Sequence, residues 1–229
     1  MNNKSKNNSS QQAAPTMKLP PIVILIDPMV LDVGTFFIKN AFAEKFSKPL
    51  TNLDLPTFIC SILQESGYKM NKKREVLVVF VAEEARRLMH VVPRDIFASE
   101  EANKEGVTVL DGSGCATDMG ELVFLGAACP EHMKQNEHLA DLTRAIMENE
   151  GVKHLMLMFD QKENKTLIND CIDWAVKNHQ FTWLGQNLGD WKSDEALVES
   201  LNQTVVKKII DFTSSALVNM GANPEEMNK

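Results

Sequence analysis

Residues 22–28 read Ile-Val-Ile-Leu-Ile-Asp-Pro, an uninterrupted apolar, β-branched run that stops at an acid and a proline. A strand with one wetted face alternates apolar and polar residues. A run with no polar face suits a strand covered on both sides, which is the habit of parallel sheets. The same signature returns in EVLVVFVA (75–82) and HLMLMFD (154–160), with shorter apolar runs at VTVL (107–110), GELVFLGAA (120–128) and FTWLG (181–185).

Helical patterns fill the intervals. Residues 35–47 read as helical and stop before Pro49; Pro56 opens the helix PTFICSILQES, and Gly67 closes it. Weaker helical character covers 83–90 and 93–104. A helix starts at Pro130 and runs to about Glu150, and KTLINDCIDWAVKN (165–178) forms another. The spacing of SDEALVESLNQTVVKKIIDFTSSALVNMG predicts one long C-terminal helix over 193–221, with Ser193 as its N-cap. Strands alternating with helices predict an α/β fold. The expectation is a three-layer αβα, Rossmann-like domain with a mostly parallel sheet. The stretch DGSGCATDMG is read as a loop or as the turn of a hairpin over 107–128, which adds an antiparallel edge. The long C-terminal helix closes the sheet or serves a homo-oligomer interface.

Composition bounds the rest. The 229 residues hold 31 acids against 24 Lys and Arg, a net charge of −7, and 44% are hydrophobic. That is enough apolar material for one sizeable core, and it excludes a globally basic nucleic-acid coat; there is no DNA signal. No apolar run is long enough for a membrane span. Residues 1–17, rich in Asn, Ser and Gln, read as a disordered tail. Residues 18–221 read as one domain, and 222–229 as a frayed end. The four cysteines form no C-x-x-C pair, as expected of reduced thiols in a cytoplasmic protein. The five histidines form no H-E-x-x-H, and Asp111-Gly112-Ser113-Gly114 is not a G-x-G-x-x-G loop.

Open α/β sheets bind ligands outside the carboxyl ends of their strands, so the residues that each strand delivers there matter most. The first run ends at Asp27, the second at Glu83 and Glu84, the third at Asp111, and the run 154–160 at Asp160 with Glu163 just after it. Four strands thus hand carboxylates to one rim. Clustered carboxylates repel one another unless a cation neutralises them, and Mg²⁺ or Mn²⁺ is the hard cation suited to oxygen ligands. Such a site activates water and clamps a phosphodiester. Taken singly, each acid also has a plainer role as cap of the following helix.

The run IVILID and the stretch 141–185, with an Asp on a helix, an apolar strand ending in Asp, then a helix and a strand, resemble PIN and NYN domains, which are metal-dependent ribonucleases on a parallel sheet. The resemblance implies Asp27, Asp141 and Asp160 as metal ligands, with Glu163 as the second acid of the last motif. It implies Glu83 or Glu84 as a catalytic acid beside Asp27 and Asp160, and RNA as partner. Arg86 and Arg87 follow the second run on the same rim and suit phosphate contacts. Pro28-Met29-Val30 and Met158-Phe159 stand where the family carries Asn and Ser or Thr, the pattern of a degenerate form. Two alternatives stay open. One is a non-catalytic α/β binding or interaction protein. The other is an isochorismatase-like hydrolase using Cys129, which precedes Pro130 and so lies at the start of the expected helix, where a thiolate is favoured.

Overall fold

The computed structural model describes residues 18–68, 76–82, 88–92, 111–117, 120–160, 163–185 and 209–223. Its centre is strand β1 (Ile22–Ile26), whose five residues are all buried. β1 pairs in parallel with β3 (Val76–Ala82) on one side and β7 (His154–Met158) on the other, with Ile22 beside both Val76 and His154. β6 (Gly120–Ala128) extends the sheet in parallel beyond β3, and β8 (Gln180–Gly185) and β9 (Ile209–Asp211) extend it beyond β7. β5 (Asp111–Thr117) adds the antiparallel edge on β6. The full order is β5-β6-β3-β1-β7-β8-β9. The fold is therefore the mixed α/β, three-layer, Rossmann-like architecture that the sequence implies, with its hairpin at the edge.

Two cores follow from the pleat. Alternate strand residues point to opposite faces. Ile22, Ile24 and Ile26 face one layer with Val78, Phe80 and Met156. That layer holds α1 (Pro28–Phe46), α2 (Leu55–Glu65) and α5 (Thr213–Asn219), which contribute Leu31, Phe58, Ile62 and Ala216. Val23 and Leu25 face the other layer with Val79 and Leu157. There α3 (Gln135–Met147) supplies Leu139 and Ile146, and α4 (Lys165–Ala175) supplies Leu167, Ile168 and Cys171. Each buried Leu or Ile contributes about 1.5–3 kcal/mol. A short parallel pair, β2 (Leu53–Asp54) and β4 (Val91–Val92), stands apart from the main sheet.

The C-terminal segment departs from expectation. Over the described residues 209–221 there is no continuous helix: Ile209–Asp211 form β9, and only Thr213–Asn219 are helical. The reason is tertiary. The open edge of β8 offers unpaired backbone groups, and Leu184 pairs with Ile210 there, so β-branched residues that fit a helical stripe go to the ladder instead. Asp211 then accepts the Thr213 amide at 3.0 Å. α5 packs on α1 and α2. It is held there by Asn219, whose side chain accepts from the Asp54 amide (2.7 Å) and donates to the Asp54 carbonyl (3.1 Å). Two helix starts also move. α1 begins at Pro28 rather than 35, because Asp27 caps it there. The chain after Cys129 makes a turn, and α3 begins at Gln135 rather than Pro130. The proposed strand at 107–110, the helix over 93–104, the part of the C-terminal helix over 193–208 and the tail 1–17 lie outside the described residues.

Gly67 closes α2 with φ +83°, a conformation that costs glycine nothing. Gly151 is required for a different reason: a Cβ there would collide with the Leu19 carbonyl. Asn149 bridges the same junction, accepting from the amides of Leu19 (3.1 Å) and Gly151 (3.0 Å).

Ile24→Ala, at the crossing of β1 with the first core, should lower stability by about 2–5 kcal/mol, read from urea unfolding. A pH effect follows from His154. It is buried, its Nε2 pairs with the Thr182 hydroxyl at 2.8 Å, and its Nδ1 has no hydrogen-bond partner among the described residues. Burial lowers its pKa from 6.5 to about 4. The unfolded chain therefore takes up the proton first, and the folded state loses stability as pH falls from about 6.5 to 4, on the order of 3 kcal/mol in all. His154→Gln should flatten that part of the stability–pH curve.

Candidate functional site

The six parallel strands run β6-β3-β1-β7-β8-β9, so the chain winds outward in one direction from β1 and, after β6, returns to β7 on the opposite side of β1. The reversal lies between β1 and β7, and in doubly wound sheets the crevice forms there, outside the carboxyl ends. Ile26 is opposite Met158, and the Asp27 amide donates to the Met158 carbonyl at 2.9 Å. Asp27 and Asp160 thus leave neighbouring strands at the switch point.

Both acids hold backbone groups. Asp27 Oδ1 accepts the Met29 amide at 2.7 Å, capping α1, and Pro28 in the first turn has no N–H. The positive end of α1 is met by the chain's own carboxylate, so it does not present the row of amides on which a pyrophosphate settles. Asp160 Oδ1 accepts the Glu163 amide at 3.3 Å, and its carbonyl accepts from the Asn164 side chain at 2.8 Å. A third acid at this end of α1 is Asp32, whose Oδ1 accepts the amides of Met89 (2.9 Å) and His90 (2.8 Å) and ties that segment to α1. Nothing in the sequence marks Asp32, which lies before the helix expected from residue 35.

A cleft of about 470 Å³ adjoins Asp160, between α3 and α4. Asn136, Glu137, Asp141, Arg144, Glu163, Asn164 and Thr166 make its polar walls, and Met133, Ala140 and Leu167 are its apolar part. The start of α3 lies at the same rim, because the Gln135 side chain donates to the Val81 carbonyl near the end of β3 at 3.0 Å. Asn136 donates to Glu163 at 2.8 Å across the cleft. Arg144 lies between Asp141 (3.5 Å) and Asp170 (3.4 Å); all three are well solvated, so each pair is worth little.

Asp111 begins the edge strand β5, with β6 and β3 between it and β1; the other expected acids among the described residues fall into two sets. Asp27 and Asp160 flank the switch point. Asp141 and Glu163 line the cleft; with α3 starting at Gln135, Asp141 is only about 9 Å along the helix from its start. Among the described residues no three His, Cys, Asp or Glu side chains come close enough together to hold a metal ion. Glu83, Glu84, Arg86 and Arg87 lie outside the described residues. Cys129 is buried and is not at a helix start, since α3 begins six residues later. Its sulfur faces the Met133 carbonyl at 3.1 Å. Burial and the neighbouring Asp170 push the Cys171 thiol far up.

Residues 16–206, more than four fifths of the chain, match the model of a family of unknown function, DUF6621. The chain belongs to this family. No curated protein and no solved structure matches it. The switch-point rim and the α3–α4 cleft both lie on the part of this DUF6621 chain that the family model covers. No described helix is long and apolar enough to cross a membrane.

Asp27→Ala should cost about 0.5–2 kcal/mol through loss of the α1 cap, whereas Asp27→Asn, which retains an acceptor oxygen, should stay within a few tenths of wild type in thermal unfolding. Buried Cys171 and Cys129 should label slowly with iodoacetamide at neutral pH, followed by mass spectrometry, and at the denatured rate in urea.

Proposed function

We propose that the protein is an α/β ligand-binding domain that takes a small polar molecule at the carboxyl rim of its sheet, in the cleft between α3 and α4 beside Asp160. The observation that carries this reading is the connection between crevice and cleft: Asp160, at the switch point, bonds to Glu163 and Asn164, and both line the cleft. The cleft has the size of a small-molecule site, and seven of its ten lining residues are polar. Its amides, hydroxyl, carboxylates and single guanidinium suit a ligand with several hydrogen-bonding groups.

A second reading rests on the placement of Asp27 and Asp160 at the ends of adjacent strands, and on the resemblance to PIN and NYN domains. In it the two acids hold Mg²⁺ or Mn²⁺, and the protein cleaves RNA phosphodiesters. Two carboxylates completed by waters are within the habit of Mg²⁺; an all-protein cage has no counterpart among the described residues. The metal would supply an activated water and charge neutralisation. Asp27 would hold it while still capping α1, and Asp160 would do so from the start of the β7–α4 turn.

One set of measurements separates the two. On the first reading, millimolar Mn²⁺ leaves the melting temperature unchanged and single-stranded RNA stays intact. Polar fragments then shift the amide resonances of Asn136, Thr166 and Leu167, and Ala140→Trp, which fills the cleft, removes those shifts. A rise of several degrees with Mn²⁺, together with RNA cleavage lost in Asp27→Asn, overturns the first reading in favour of the second.

A further inference from the structure

We draw no further inference here: the strongest candidate, the exposed apolar face of α1 formed by Met29, Val33, Phe36 and Phe37 with Met89 and Val92 exposed nearby, carries none because nothing in the structure shows what covers it.

Discussion

Everything in this fold is referred to the two ladders of β1. Its five residues pair in register with β3 on one side and β7 on the other, and successive side chains enter opposite cores. A strand in that position has no solvated face, so it tolerates no polar residue until it ends. Asp27 is the first such residue, and it marks where β1 leaves the sheet and α1 begins. The same geometry fixes the partner rim residue, because the pairing of Ile26 with Met158 brings the ends of β1 and β7 to one level. A slip of one residue would turn Val23 and Leu25 into the wrong core and break both layers at once.

The electrostatics of the rim follow from how the helices begin. A Rossmann-like sheet that binds phosphates leaves the first turn of its first helix open to the ligand. Here Asp27 and Pro28 close that turn, so the crevice offers carboxylates where other doubly wound sheets offer amides. These carboxylates also serve the chain: Asp27, Asp160 and Asp32 each accept backbone amides. Their first role is to start or anchor segments, and ligand chemistry has to be compatible with it. The cleft between α3 and α4 is different in kind. Its polar groups mostly face solvent, and among the described residues weak, exposed pairs engage its arginine.

Side-chain to backbone hydrogen bonds tie the parts that the sheet does not reach. Asn219 grips both backbone groups of Asp54, Thr51 donates through its amide and hydroxyl to the Met220 carbonyl, and Asn149 bridges Leu19 and Gly151. Each joins segments distant in sequence, and each satisfies backbone groups that the main sheet does not pair. They explain how a seven-residue C-terminal helix holds its place against α1 and α2.

The apolar runs at 22–26, 75–82 and 154–160 were enough to imply a parallel sheet with helices on both sides, because two-sided burial leaves a pattern that no solvated strand shares. Gly67 as the end of α2 and Asp27 as a strand-terminal acid were also legible, since both depend on local backbone chemistry. The site was legible only as a set of acids at strand ends. That Asp27 and Asp160 follow adjacent strands while Asp141 and Glu163 line the adjoining cleft depends on strand order and helix packing, which leave no trace in local spacing. Asp32 and Asn219 were invisible for the same reason: their partners lie 57 and 165 residues away. The sequence by itself determined which segments must be buried, because hydrophobicity is carried by each residue. The tertiary structure decided whether Ile209 and Ile210 would be helix or strand, and which acids would follow adjacent strands, because both depend on backbone partners that exist only once the sheet has formed.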